Sequence, residues 1–301
     1  MAIAVTTRNK AFLLLALANL FWAGNWVIGR GLRELIDPVT LNFWRWLLAA
    51  LVLAPFAWHS LVAQAAVIRR HASLIVLLAL TGVVLFQVLV YTGLRTTTTV
   101  NAVLINSTAP LFFVLCSWAI ERERAKPGQL LGMVVSLAGI LIILTRGDWA
   151  RLMQLQFQSG DAWILLAMPI WGIYSVLLKR RPPELGGVTL LFLTAAAGVA
   201  LLLPALWFES LRAPLQWPVA GAWAGILYVA MGASIGAFIC WNRGVATVGA
   251  NAAGITLHLL PAFGTVLAIL FLGEQFQAFH ALGIATILAG VVLATRDQKQ
   301  A

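Results

Sequence analysis

His258 stands in GITLHLLPAF, residues 254 to 263, a run that is otherwise almost wholly apolar, and the chain has only four histidines. An ionisable ring in such a run is costly enough to count as a functional candidate by default. Asn251 lies seven residues earlier, close to two helical turns, so the two side chains project from one face. Asn101 and Thr108 repeat that spacing in a second apolar run, where Ser107 is the counterpart of His258. Pro110 and Pro261 follow within three residues, and each frees a carbonyl one turn earlier. In an apolar medium such a carbonyl survives only against protein or a water-filled cavity.

Aromatic residues supply the second pattern. Trp22, Asn25, Trp26 and Gly29 fall at i, i+3, i+4 and i+7, a single stripe; Trp163, Trp171 and Tyr174 share about a quarter of a helix circumference. Gln87 and Tyr91 lie one turn apart, with Asn242 the counterpart of Tyr91. A flat aromatic wall with a few polar groups fits a bound molecule that is part apolar and part polar. The competing reading is plain packing, with each hydrogen bond between helices adding about 0.6 kcal/mol.

The elements that must position these residues are membrane spans. Of 301 residues, 61% are hydrophobic and 10% charged, against about 45 to 50% and about 25% in soluble domains. Runs long enough to cross a hydrocarbon core of about 30 Å recur along the whole length. Ten are expected, near 11–30, 39–57, 73–95, 98–120, 128–145, 160–179, 187–207, 218–241, 249–272 and 277–295. Loops are short, leaving no segment for a soluble domain. The net charge of +10 is distributed as lipid-facing loops require, not as a nucleic-acid surface. With the N-terminus inside, thirteen Lys and Arg fall on inside segments (Arg69–Arg70, Arg122 to Lys126 and Lys179 to Arg181 among them) against six outside, with Arg45 left in a span. That excess places both termini in the cytoplasm. Arg45 is expected to snorkel to the headgroups rather than to attract a carboxylate. Cys116 and Cys240 have no ligand spacing around them, so neither a disulfide nor a metal site is expected.

An internal repeat organises the chain into units 1–150 and 151–301. A shift of 149 brings Trp22 onto Trp171, Phe43 onto Phe192, Pro55 onto Pro204 and Trp58 onto Trp207. A shift of 151 then brings Gly93 onto Gly244, Pro110 onto Pro261, Glu123 onto Glu274 and Leu137-Ala138-Gly139 onto Leu288-Ala289-Gly290. Proline, tryptophan and glutamate matches in one order mark a duplicated five-helix unit. Five is odd, so the second unit enters the membrane inverted, an architecture that secondary transporters reuse.

Each unit closes its fourth span with a proline, places a glutamate thirteen residues on, and has a glycine-rich last span: PLFFVLCSWAIERE with LLGMVVSLAGILII, and PAFGTVLAILFLGE with ALGIATILAGVVLA. On these motifs the chain resembles the EamA-type members of the drug/metabolite transporter superfamily over nearly all its length. Within it, the chain is most similar to the YddG-type aromatic amino-acid exporters of bacterial inner membranes. The resemblance implies an inner-membrane carrier whose central cavity is lined by the first, third, fourth, sixth, eighth and ninth spans, with the fifth and tenth to one side. Small four-span relatives couple to protons through a glutamate in their first span; here FLLLALANLFWAGNWVIGR offers Asn19 and Asn25 but no carboxylate.

Three function classes compete. An intramembrane enzyme wants a base with a partner, a nucleophile or a metal cluster, yet the spans offer one histidine, and the acids fall in loops or at span ends. A channel should show a ring of selectivity groups, and none is visible. A carrier fits the inverted repeat and the aromatic-polar stripes. Balancing a phosphorylated solute takes several Lys or Arg; only Arg45 is at span depth, so a zwitterion or neutral solute fits better. The expected function is export of amino acids, aromatic and hydrophobic ones above all; drugs or neutral metabolites such as purines are the alternative. Trp22, Trp26, Trp163, Trp171 and Tyr174 would supply the wall. Asn101, Thr108 and His258 would hold the polar ends, with Asn25, Gln87 and Tyr91 completing the cavity. Trp44, Trp46, Trp58, Trp118, Trp149, Trp207, Trp217, Trp223 and Trp241 read as interfacial belts. Gly132, Ser136 and Gly139, with Gly283 and Gly290, read as packing faces in a monomer, a dimer contact being the alternative. No cofactor and no catalytic residue are expected.

Overall fold

Ten long apolar helices order the chain: α1 (Thr7–Leu32), α2 (Pro38–Ala63), α3 (Ala72–Thr96), α4 (Thr99–Glu121), α5 (Pro127–Thr145), α6 (Ser159–Arg180), α7 (Gly187–Leu211), α8 (Ala220–Val248), α9 (Ala250–Phe271) and α10 (Ala278–Thr295). The computed structural model describes residues 2–212, 218–272 and 275–296, and its regular structure there is helical throughout. Glu274 of the second motif and Trp217 lie outside the described residues. The helices match the ten expected runs, and exposed side chains such as Leu51, Phe56, Val134 and Leu270 form the lipid-facing surface.

Local chemistry sets the helix ends. Pro38 and Pro127 occupy the first turns of α2 and α5, where a missing N–H costs nothing. The Thr98 hydroxyl accepts from the Asn101 backbone N–H (3.1 Å) and caps α4, while Asp161 in the first turn of α6 accepts from the Gln158 N–H (2.8 Å). One residue joins α8 to α9: Gly249, at φ 83°, a conformation that a side chain would strain.

Each repeat contains two irregular helices at equivalent positions. α3 and α8 widen to π-helix over Ala79–Leu85 and Val229–Gly236. Carbonyls in the widened turns take side-chain donors: Asn42 Nδ2 reaches Val83 O (2.8 Å), and Trp22 Nε1 reaches Ala233 O (3.1 Å). α4 breaks in a turn at Ser107–Thr108, and α9 tightens to a 3-10 turn over Thr256–His258, in both cases just ahead of the proline. These irregular stretches lie inside the protein, where their carbonyls find partners.

α5 and α10 pack against each other along their glycine faces. A Cβ on Gly139 would fall 2.7 Å from Gly283 O, and one on Gly290 would fall 2.6 Å from Gly132 O. The small-residue stripes expected to serve packing are therefore used within the chain, α5 against α10. Bonds across helix ends fix which ends lie together. Lys179 pairs with Glu123 (2.6 Å) and Arg180 with Glu121 (2.7 Å), and Arg8 bonds Thr295 O, at the end carrying the N-terminus. Arg95 pairs with Asp37 (2.7 Å) at the opposite end.

Candidate functional site

Trp22 of α1 and Trp171 of α6, the repeat-related pair, meet edge to face at the centre, ring centroids 5.3 Å apart and planes at 86°. Trp171 stacks on Phe86 of α3 (4.8 Å, 27°) and on Tyr174 (4.9 Å, 12°). Phe238 and Trp241 of α8 each lie 5.6 Å from it. Such offset and edge-on pairs each add about 0.5–1.5 kcal/mol beyond their buried area. The cluster fills the middle of the helix bundle.

Beside it lies a central cavity of about 20 Å³, lined by Trp22, Asn25, Trp26, Phe86, Gln87, Val90, Asn106, Trp171, Leu257 and Leu260. A single water needs roughly 10–15 Å³ by this measure, while small-molecule sites run to about 300–1,000 Å³. A cavity of this size admits no such solute unless the lining rings separate. A larger hollow of about 670 Å³ sits near the α5–α6 connection, bounded by Thr98, Asn101, Asp148, Arg151 and Gln154 among others. No aromatic residue lines it, whereas both repeat-related tryptophans line the central cavity, which is the candidate site.

Hydrogen bonds continue the cavity's polar edge. The Tyr91 hydroxyl donates to Asn25 Oδ1 (2.8 Å) and accepts from Arg45 Nη1 (2.7 Å), which also donates to Gln87 Oε1 (3.0 Å); Arg45 Nε donates to Ser234 Oγ (2.8 Å). In the second unit the Tyr174 hydroxyl donates to Asn242 Oδ1 (2.9 Å). Tyr174 is the repeat counterpart of Asn25 and Asn242 that of Tyr91, so the two units hold the same pair with donor and acceptor exchanged. Gly82 lets this happen, since a Cβ there would come within 2.4 Å of the Tyr174 ring.

The structure thus brings Trp22, Asn25, Trp26, Gln87 and Trp171 to one cavity, with Tyr91 and Tyr174 directly behind them. Four expected residues lie elsewhere. His258 lines neither of these two cavities: it is fully buried, its Nε2 bonded to Ser107 O (2.9 Å) and its Nδ1 to the Ser136 hydroxyl. A carbonyl can only accept, so Nε2 carries the proton and, in the neutral ring, Nδ1 accepts. The histidine ties the break in α9 to the break in α4 and to α5, satisfying a carbonyl at the broken turn. His258→Ala is accordingly expected to lower stability by about 1–2 kcal/mol, read from thermal unfolding in detergent, and to leave solute affinity within about twofold of the parent, since no cavity contact is lost.

Asn101 bonds Asp161 Oδ2 (2.7 Å) and Gln156 O (2.9 Å), locking α4 to the start of α6, where Thr97 also bonds Asp161. Asn251, seven residues before His258, is buried with neither amide atom bonded within the protein. Thr108 donates to Ile105 O (2.7 Å) in its own broken turn. Trp163 is 44% exposed. The buried stripe of α6 runs through Gly160, Ile164, Ala167, Trp171 and Ser175, and Trp163 sits one position off it, so it belongs with the interfacial tryptophans.

Other residues correct the sequence reading in the opposite direction. Arg45 does not snorkel; it is fully buried, with Trp46 equally buried beside it. Trp46 and Trp241 are interior, not interfacial, whereas Trp58, Trp118, Trp149 and Trp207 stand at least half exposed or close to it. Trp241 has Val90 and Trp46 has Ala195 as repeat counterparts, so repeat matching did not single them out. Asp161 carried a usable signal, an acid at the third position of a helix start.

The EamA-like transporter family model matches the chain twice, over residues 9–145 and 158–296. The chain belongs to the EamA-like transporter family. It is a multi-pass membrane transporter and not an enzyme. An uncharacterized transporter of Archaeoglobus fulgidus is 30% identical over 97% of this chain and 100% of its own length. A probable terminal-alkyne amino-acid exporter of Streptantibioticus cattleyicolor is 28% identical over 75% and 74% of the two chains. The aromatic amino acid exporter YddG of Ancylobacter novellus is 26% identical over 62% and 63%.

Proposed function

We propose that this EamA-family protein exports amino acids, aromatic and other hydrophobic ones above all, across a bacterial inner membrane by alternating access, as a monomer with both termini cytoplasmic. The observation that carries the reading is the Trp22–Trp171 ring pair beside a polar edge at the repeat interface. Opening the closed cavity separates rings that stack on one another, which costs their mutual attraction. A solute with a flat ring restores that attraction by taking the vacated place, so aromatic solutes favour the open, loaded state over aliphatic ones. Asn25 and Gln87 meet its polar end. The names of the amino-acid exporters among the relatives support the same class, and the excess of basic residues on one set of loops supports the orientation. The self-paired α5 and α10 faces support a monomer.

Uptake of radiolabelled phenylalanine and tryptophan into proteoliposomes, with and without a pH gradient, tests this. Saturable uptake unaffected by the gradient is expected, because α1 carries no carboxylate to couple a proton. Absent amino-acid uptake, together with saturable purine or cationic-drug transport, would overturn the substrate class and keep the transporter.

A further inference from the structure

Arg45 is a fully buried guanidinium without a counter-ion. Its donors reach neutral acceptors, Ser234, Gln87 and Tyr91, and Nη2 has no partner in the protein. None of the ion pairs among the described residues includes it. The rings of Trp46 and Tyr91 lie 5.3 and 5.8 Å from its Cζ, a partial compensation only. An arginine keeps its charge under all physiological conditions, and a buried charge without an opposite partner is strongly unfavourable.

The fold does not require that charge. In the second repeat the equivalent position is Thr194, whose hydroxyl bonds its own helix at Leu190 O (3.1 Å) and Leu191 O (3.0 Å). One unit therefore does without the cation that the other buries. Position ties the cation to the site: Gln87, which it bonds, and Asn25, which bonds its partner Tyr91, both line the central cavity. Arg45 sits one side chain behind the cavity wall, on its polar edge.

We propose that Arg45 is the anion-recognition residue of this site and makes a free carboxylate a requirement for transported solutes. The carboxylate accepts from the unpartnered Nη2 and shares the guanidinium with Gln87, while the solute's ring lies against Trp22 and Trp171. The proposal rests on the transport site described above for the ring's position, but its chemistry applies to any ring-bearing carboxylate. The guanidinium's counter-ion then arrives as the solute's carboxylate: a simple carboxylate neutralises the site, whereas an amino acid brings its own ammonium and leaves the net charge as it was. Held by Ser234, Gln87 and Tyr91, the guanidinium presents its one free nitrogen in a fixed direction and makes a charge-assisted bond that a lysine, with a single ammonium, cannot make while keeping those partners.

The test compares phenylalanine, 3-phenylpropionate (carboxylate, no ammonium) and phenethylamine (ammonium, no carboxylate). Each is scored as an inhibitor of phenylalanine flux in proteoliposomes and for raising the unfolding temperature of the purified protein. Phenylalanine and 3-phenylpropionate are expected to act in both assays, phenethylamine to be weaker by about thirtyfold or more, and Arg45→Gln and Arg45→Lys to lose the response to both carboxylates. If Arg45→Gln does not fold, the three-compound series on the parent protein decides alone. Phenethylamine binding as well as phenylpropionate, or Arg45→Gln keeping parental flux, would overturn the anion site and leave amino-acid transport standing. Arg45-dependent stabilisation by 3-phenylpropionate without any amino-acid flux would uphold the anion site and overturn the amino-acid reading. Absence of stabilisation by every carboxylate would overturn the anion site.

Discussion

Trp171→Ala is expected to reduce phenylalanine flux in proteoliposomes by at least about tenfold, a loss matching about 1.4 kcal/mol or more of solute stabilisation. The ring stands against Trp22, Phe86, Tyr174, Phe238 and Trp241 with centroids 4.8 to 5.6 Å away. Removing it takes away the surface on which a solute ring would stack and the ring it would replace. The same change removes a buried tryptophan, at a cost of about 3–5 kcal/mol in a packed core, so loss of fold must be separated from loss of site. Trp171→Phe does this: it keeps an aromatic face on Phe86 and Tyr174, and is expected to remain folded with flux between the parent and the alanine variant. Equal flux in parent, phenylalanine and alanine variants, all folded, would remove Trp171 from the site.

Gly290→Leu is expected to prevent folding of the α5–α10 pair, with little monodisperse protein recovered in detergent. A first carbon at that position already falls 2.6 Å from Gly132 O, and the obstacle is backbone, which cannot rotate aside. Overpacking by a few methylenes costs about 1–3 kcal/mol where side chains can shift; here the helices must separate, and the cost exceeds that range. Gly221→Leu, where nothing lies within 4 Å of an added Cβ, is the matched control and is expected to purify as the parent does. Recovery of well-folded Gly290→Leu would show that α10 does not need this close approach.

Those two expectations also mark what the sequence could reveal. Composition and run length exposed all ten spans, because crossing a bilayer constrains every residue that faces lipid. Equivalence of Trp22 with Trp171, and of the glycines in α5 and α10, was legible because the duplicated unit reuses those positions. Side-chain direction was not. His258 shares a helix face with Asn251, which made it a candidate to hold a solute's polar end; its ring closes instead on Ser107 and Ser136 of neighbouring helices. Spacing along a single helix says which residues point together but not what they meet. Arg45 misled for a related reason: a cation a third of the way into a span ordinarily reaches back to headgroups, and only tertiary contacts show it held by Gln87, Tyr91 and Ser234. Trp46 and Trp241 stayed hidden because their repeat partners are small or aliphatic, so the duplication that revealed half of the aromatic cluster was silent on the other half.

Equilibrium dialysis of labelled phenylalanine against the purified protein tests the central claim most directly, because it needs neither an orientation in the membrane nor a driving gradient. Saturable binding of one phenylalanine per chain, lost in Trp171→Ala and retained in His258→Ala, is the result expected of a site between Trp22 and Trp171. Saturable binding that survives Trp171→Ala but disappears in a folded His258→Ala protein would contradict it and move the site to the α4–α5–α9 junction.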